Sequence, residues 1–172
     1  MVSRRDALKR LAVGGAAAAT APLWVEALVS AAGQHAAHYH QAAARAAPWV
    51  PKVLSPAQNQ AVIALSEAII PQTDTAGAAK AGVNQFIDAV IAEASPADRQ
   101  KFLDGLAWID ARSQRDACAP FAKATVEQQT ALLTAISVTG TPAPDDAPGA
   151  EFFRAIKSLT ITGYYTHEVG MR

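Results

Sequence analysis

The chain has 172 residues, the length of one domain, and its 15 Lys+Arg balance its 15 Asp+Glu, so no basic field exists to hold nucleic acid. A single cysteine, Cys118, excludes an intrachain disulfide, a paired-cysteine zinc site and covalent Cys-x-x-Cys-His haem attachment. Hydrophobic residues make up 51% of the chain, but many are alanine, which favours helix and adds little area to a core. A small domain built this way is a candidate for needing a partner surface.

Ser3-Arg4-Arg5-Asp6-Ala7-Leu8-Lys9 resembles the twin-arginine export signal, Ser-Arg-Arg-x-Phe-Leu-Lys, with Ala7 in place of the favoured Phe. Arg4 and Arg5 carry the pattern. A weakly apolar, Gly- and Ala-rich run follows to Trp24, shorter than the roughly 20 apolar residues of a membrane span. A charged start, a modest apolar run and small residues beyond it are the anatomy of a secretory signal. Small residues at Val29-Ser30-Ala31 make a cut after Ala31 plausible, so residues 1–31 are read as signal segment, 32–54 as linker and 55–172 as a helical domain. The twin-arginine route carries proteins already folded. A folded-export signal on a chain with no phosphate-cradling glycine motif and no haem-attachment pair points to a chain that carries a partner across.

His35, His38 and His40 raise a metal-site reading, that of a free-standing periplasmic helical metal-binding protein. His35 and His38 share a helical face and His40 lies off it, and no adjacent Asp, Glu or Cys completes a set of ligands. A solvated segment is the better reading, and no metal ligand is assigned. Pro48 and Pro51 break helix around Trp49, which is expected to pin the linker to the domain.

Ser55-Pro56-Ala57-Gln58 starts the first core helix with a cap, a proline at the first helical position and a capping-box glutamine. Val62, Leu65 and Ile69 follow on one face. Pro71 then stops the helix, and a polar connection runs to Val83. Thr73, Asp74 and Thr75 carry short side chains that bond nearby amides. Gly77 and Gly82 tolerate backbone angles that other residues avoid. The connection is long for two helices, and such loops are often functional. Glu67 sits at the C-terminal end of the preceding helix, where the dipole disfavours an anion.

A second helix carries Phe86, Ile87, Val90 and Ile91. A third opens at Ser95-Pro96 and packs through Phe102, Leu103, Leu106 and Ile109, with Trp108 on its flank and Gly105 marking a close contact. Cys118 and Pro120 end that region, Cys118 being read as a small buried or half-buried thiol. A fourth helix starts at a Thr125–Gln128 capping box and buries Leu132, Leu133 and Ile136. The stretch 139–149 is proline-rich and reads as linker. The last helix turns Phe152, Phe153, Ile156 and Leu159 inward and ends in Gly163-Tyr164-Tyr165-Thr166-His167-Glu168. Adjacent Tyr164 and Tyr165 cannot share a face, so one packs inward and one outward. His167 beside Glu168 has the chemistry for proton transfer, but capping or interface duty is favoured, and no catalytic residue is assigned.

The twin-arginine start, the loop Ile70-Pro71-Gln72-Thr73-Asp74-Thr75-Ala76-Gly77-Ala78 with Ala81-Gly82-Val83 and Phe86-Ile87-Asp88, and the ending Leu159-Thr160, Gly163-Tyr164-Tyr165-Thr166 and Gly170 together resemble the gluconate 2-dehydrogenase subunit 3 family. The likeness runs from about Leu54 to Gly170. Ala76, where the family often has Pro, and His167, where a small hydroxyl residue is more usual, depart from it. The resemblance implies an all-α fold, a bundle of about five helices. It also implies a small, non-flavin subunit of a periplasmic or membrane-associated sugar dehydrogenase. In such complexes a large flavoprotein of the glucose-methanol-choline class holds FAD and oxidises the sugar, passing electrons to a c-type cytochrome or to quinone. Gluconate 2-dehydrogenases and glucoside 3-dehydrogenases are both within its range. The expected partner interface is Pro71, Thr73, Asp74, Thr75 and Gly77 from the loop with Tyr164, Tyr165, His167 and Glu168 from the tail. No cofactor is expected in this chain.

Overall fold

The computed structural model describes residues 22–42, 49–137 and 141–166, with backbone alone for 35–42. Arg4 and Arg5 at the start and His167 and Glu168 at the end lie outside these residues. Six α-helices and no strand occur among the described residues: α1 Leu23–Ala42, α2 Pro56–Ile69, α3 Val83–Glu93, α4 Pro96–Ala117, α5 Val126–Ile136 and α6 Ala147–Thr166. The class is all-α, as read from the sequence, with α1 as a helix beyond the expected five.

The caps predicted from sequence are formed. The Ser55 and Thr125 side chains each accept from the amide of the glutamine three residues on, and each glutamine reaches back to the cap amide. Ser95 accepts from the Asp98 amide. The proline-rich stretch before α6 holds more structure than expected. Pro144–Asp146 form a 3-10 turn and α6 begins at Ala147. A proline in the first turn of a helix removes an amide that would have no partner there, so Pro148 is compatible with this start. Arg112, near the end of α4, donates to Asp116 and to Asp146, tying α4 to this turn. The hydrogen bond from Arg112 holds the Asp116 carboxyl below its ordinary value.

The core joins faces from every helix. It contains Trp24, Val25 and Leu28 of α1, Val62 and Leu65 of α2, and Phe86, Ile87, Val90 and Ile91 of α3. Phe102, Leu106 and Ile109 of α4, Leu132, Leu133 and Ile136 of α5, and Phe152, Ile156 and Leu159 of α6 belong to it as well. Helix α6 packs on all five others. The burial of α1 departs from the sequence reading: residues 32–42, expected as linker, are helical, and Ala32 is fully buried.

The end of the linker, residues 52–54, is held by a residue that the sequence reading names only within the family motif Phe86-Ile87-Asp88. Asp88, buried within the apolar face of α3, accepts from the amides of Lys52, Val53 and Leu54 at 2.6, 3.1 and 3.0 Å. Trp49, expected to do this pinning, stays 36% exposed. Cys118 is exposed rather than buried, and caps α4 in the left-handed conformation at φ 55°.

Close approach of α4 and α6 follows from Gly105, as the sequence indicates. A Cβ at Gly105 would lie 2.3 Å from the Phe152 ring, whose centroid is 5.3 Å from that of Phe102 in an edge-on contact. A Cβ at Gly33 in α1 would meet nothing within 4 Å. Glycine-to-alanine replacement inside a helix gains about 1 kcal/mol from propensity, whereas overpacking a filled core costs about 1–3 kcal/mol. Gly105→Ala is therefore expected to lower stability and Gly33→Ala to raise it by up to about 1 kcal/mol. Urea denaturation of the two variants beside the parent chain checks both signs.

Candidate functional site: the loop between α2 and α3 and the end of α6

The connection between α2 and α3 has two halves of different character. Pro71, Gln72, Thr73, Asp74 and Thr75 are exposed, whereas Gly77, Ala78 and Ala81 are buried. The buried half is ordered by backbone bonds: the Ala78 amide donates to Ile70 at 3.0 Å, and the Ala81 amide to Gly77 at 3.1 Å. In the exposed half the Thr73 amide donates to the Thr75 carbonyl at 3.0 Å. The Thr73 hydroxyl donates to the Asp74 carboxylate at 2.9 Å. These are the local bonds that short oxygen side chains favour in turns.

One carboxylate fastens the two halves to α2. Glu67 accepts from the Gln72 amide at 2.7 Å through one oxygen and from the Ala79 amide at 2.9 Å through the other. The loop thus brings two backbone donors to a carboxylate that the helix end alone would disfavour. This is why an acidic residue is stable there. Gly77 lies against the same group: a Cβ would be 2.3 Å from a Glu67 oxygen and 2.6 Å from the Gln72 nitrogen. The glycine is required for space, while the positive φ of this connection belongs to Gly82, at 69°.

The end of α6 meets this loop from the other side. Tyr164 is buried and its hydroxyl donates to the Ala76 carbonyl at 2.7 Å. Tyr165 is 41% exposed, and its ring stands edge-on to that of Tyr164 with centroids 5.4 Å apart. The inward–outward division expected of the pair is therefore present, Tyr164 being the inward one. One turn earlier Thr160 is fully buried and donates to Ser66 of α2 at 3.4 Å. Loop and tail motifs, 88 positions apart at the Tyr164–Ala76 bond, form one continuous region.

Of the residues expected at an interface, Pro71, Thr73, Asp74, Thr75 and Tyr165 are exposed in this region. Gly77 and Tyr164 face inward, where they support the surface instead of forming it. Glu67, which the sequence marks only as an anion at a disfavoured helix end, is the residue that fastens the loop. Its position at a helix end that repels anions was the available signal. Among the described residues no three His, Cys, Asp or Glu side chains converge as a metal site. The His35, His38 and His40 side chains fall outside those described. No helix among the described residues is long and apolar enough to cross a membrane.

Among the described residues this is an all-helical module in which the polar α2–α3 connection is locked to the last helix. Comparison with known proteins specifies it: residues 56–172 match the model of the gluconate 2-dehydrogenase subunit 3 family, and the chain belongs to that family. The match spans both halves of the site, the α2–α3 loop and the tail. Comparisons with curated proteins and with solved structures return no match.

Replacing Glu67 removes two charge-assisted bonds, each worth about 1.5–3 kcal/mol. Glu67→Ala is expected to speed exchange of the Gln72 and Ala79 amides by at least about tenfold, while amides in the middle of α6 stay protected. Amide exchange followed by NMR checks this.

Proposed function

We propose that this chain is the non-catalytic small subunit of a periplasmic FAD-dependent sugar dehydrogenase of the glucose-methanol-choline class, such as a gluconate 2-dehydrogenase or a glucoside 3-dehydrogenase. The large partner subunit holds FAD and removes hydride from the sugar. This chain escorts that subunit through the twin-arginine route by means of Arg4 and Arg5, and stabilises it afterwards. Electrons leave the flavin for a c-type cytochrome or quinone, and any membrane association comes through the complex.

The observation that carries the reading is membership of the subunit 3 family across residues 56–172. The physical form of the site agrees with it. An exposed loop backed by Glu67, Gly77 and Tyr164 is ordered before any partner arrives, which reduces the entropy cost of docking. Pro71, Thr73, Asp74 and Thr75 form its outer edge and Tyr165 stands beside it; His167 and Glu168, next in the sequence, are assigned to the same interface. Tyrosine suits such a position because it combines a large apolar ring with a polar tip.

Co-expression with the FAD-dependent subunit encoded in the same genome tests the proposal. Flavoprotein and sugar-oxidising activity are expected in the periplasm when the chain is present. Both should be lost from that compartment when Arg4 and Arg5 are replaced by lysine. Equal yield, export and activity without the chain would contradict the proposal. Asp74→Arg combined with Tyr165→Ala is expected to reduce co-purification of the flavoprotein by at least about tenfold, the effect of losing one ordinary interface anchor.

A further inference from the structure

The proposed export of this chain leaves open where its leader ends, and α1 bears directly on that question. The small-residue pattern Val29-Ser30-Ala31 lies inside α1, and residues on both sides of it belong to the core. Val25 and Leu28 precede it with 3% and 1% exposure, and Ala32, immediately after the expected cut, has 0%. The indole nitrogen of Trp24 donates to Glu151 of α6. Trp24 also forms one wall of a cleft whose other walls include Gly105 and Trp108 of α4 and Phe152 of α6. Helix α1 packs on α3, α4 and α6.

Two physical consequences follow. A peptidase needs backbone amides and carbonyls free to pair with its own site, and in a helix these groups are already bonded to each other. A cut after Ala31 would also strip Trp24, Val25 and Leu28 from the core and leave apolar surfaces of α3 and α6 facing water. In a chain that crosses the membrane folded, α1 is seated before any peptidase meets it.

Building on the export reading, we infer that Leu23–Ala31 is a permanent part of the working subunit: the bond after Ala31 is not the processing site, and any cut falls upstream of Leu23. The segment that looks like the end of a signal is the first core helix. Small residues that would serve a peptidase also occur upstream, in Ala16-Ala17-Ala18-Ala19.

Two measurements on the full-length chain test this. Intact-mass and N-terminal sequencing of the chain recovered from the periplasm should find Leu23–Ala31 present. An N-terminus at Ala32 overturns the inference. Hydrogen exchange on the purified full-length chain should find the amides of residues 28–33 protected to the same order as those in the middle of α6. Exchange at free-peptide rates overturns it equally. If no chain reaches the periplasm, the export reading fails, and the exchange measurement alone decides whether α1 belongs to the fold.

Discussion

Helix α6 is the surface on which the other five helices close, and it is made last. It places Phe152, Ile156 and Leu159 in the core and touches every other helix. Without it, each of α1 to α5 lacks one of its packing partners. A chain rich in alanine has few large side chains with which to compensate. Close approach is the alternative source of cohesion, because dispersion contacts depend steeply on distance. Gly105 supplies it against Phe152, and Gly149 does so where the Trp108 ring lies against the start of α6. The bundle therefore coheres through α6 and through these close glycine contacts together.

The same helix completes the candidate site. Its C-terminal end reaches the α2–α3 loop through the Tyr164–Ala76 bond, while Glu67 holds the loop from α2. Each anchor satisfies backbone groups that an irregular segment would otherwise have to leave to water. The loop is in this way part of the packed structure at its base and a polar surface at its tip. Asp88 applies the same device on the other side of α3, gathering three successive amides of the segment before α2. Two carboxylates thus order the two irregular segments that flank α2.

Much of this was legible in the residues. Caps at Ser55, Ser95 and Thr125, the helical spacing of Phe102, Leu106 and Ile109, and the close contact at Gly105 are local properties, and local chemistry dictates them. The family was legible because the loop and tail motifs occur together. Three things were not. The segment at α1 has the composition of a signal, small and weakly apolar, and its seat against α3 and α6 depends on partners far along the chain. Asp88 is an isolated acid in an apolar stripe, and its partners lie 34 to 36 positions away. Gly77 was understood through backbone angles, but it is the volume of the Glu67 carboxylate that demands a residue without a side chain. Each case depends on a tertiary contact, local for Gly77 and distant for the other two, which spacing alone does not encode.

The central proposal is that the Thr73–Thr75 loop and Tyr165 form one preordered face that docks on the proposed flavoprotein subunit. Photo-cross-linking in the assembled complex addresses it most directly. A photoreactive residue is placed in turn at Asp74, at Tyr165 and at Val126, the last being 72% exposed at the start of α5. Cross-links to the flavoprotein from positions 74 and 165, with none from 126, are the predicted result. Cross-links from 126 with none from 74 or 165 would contradict the account.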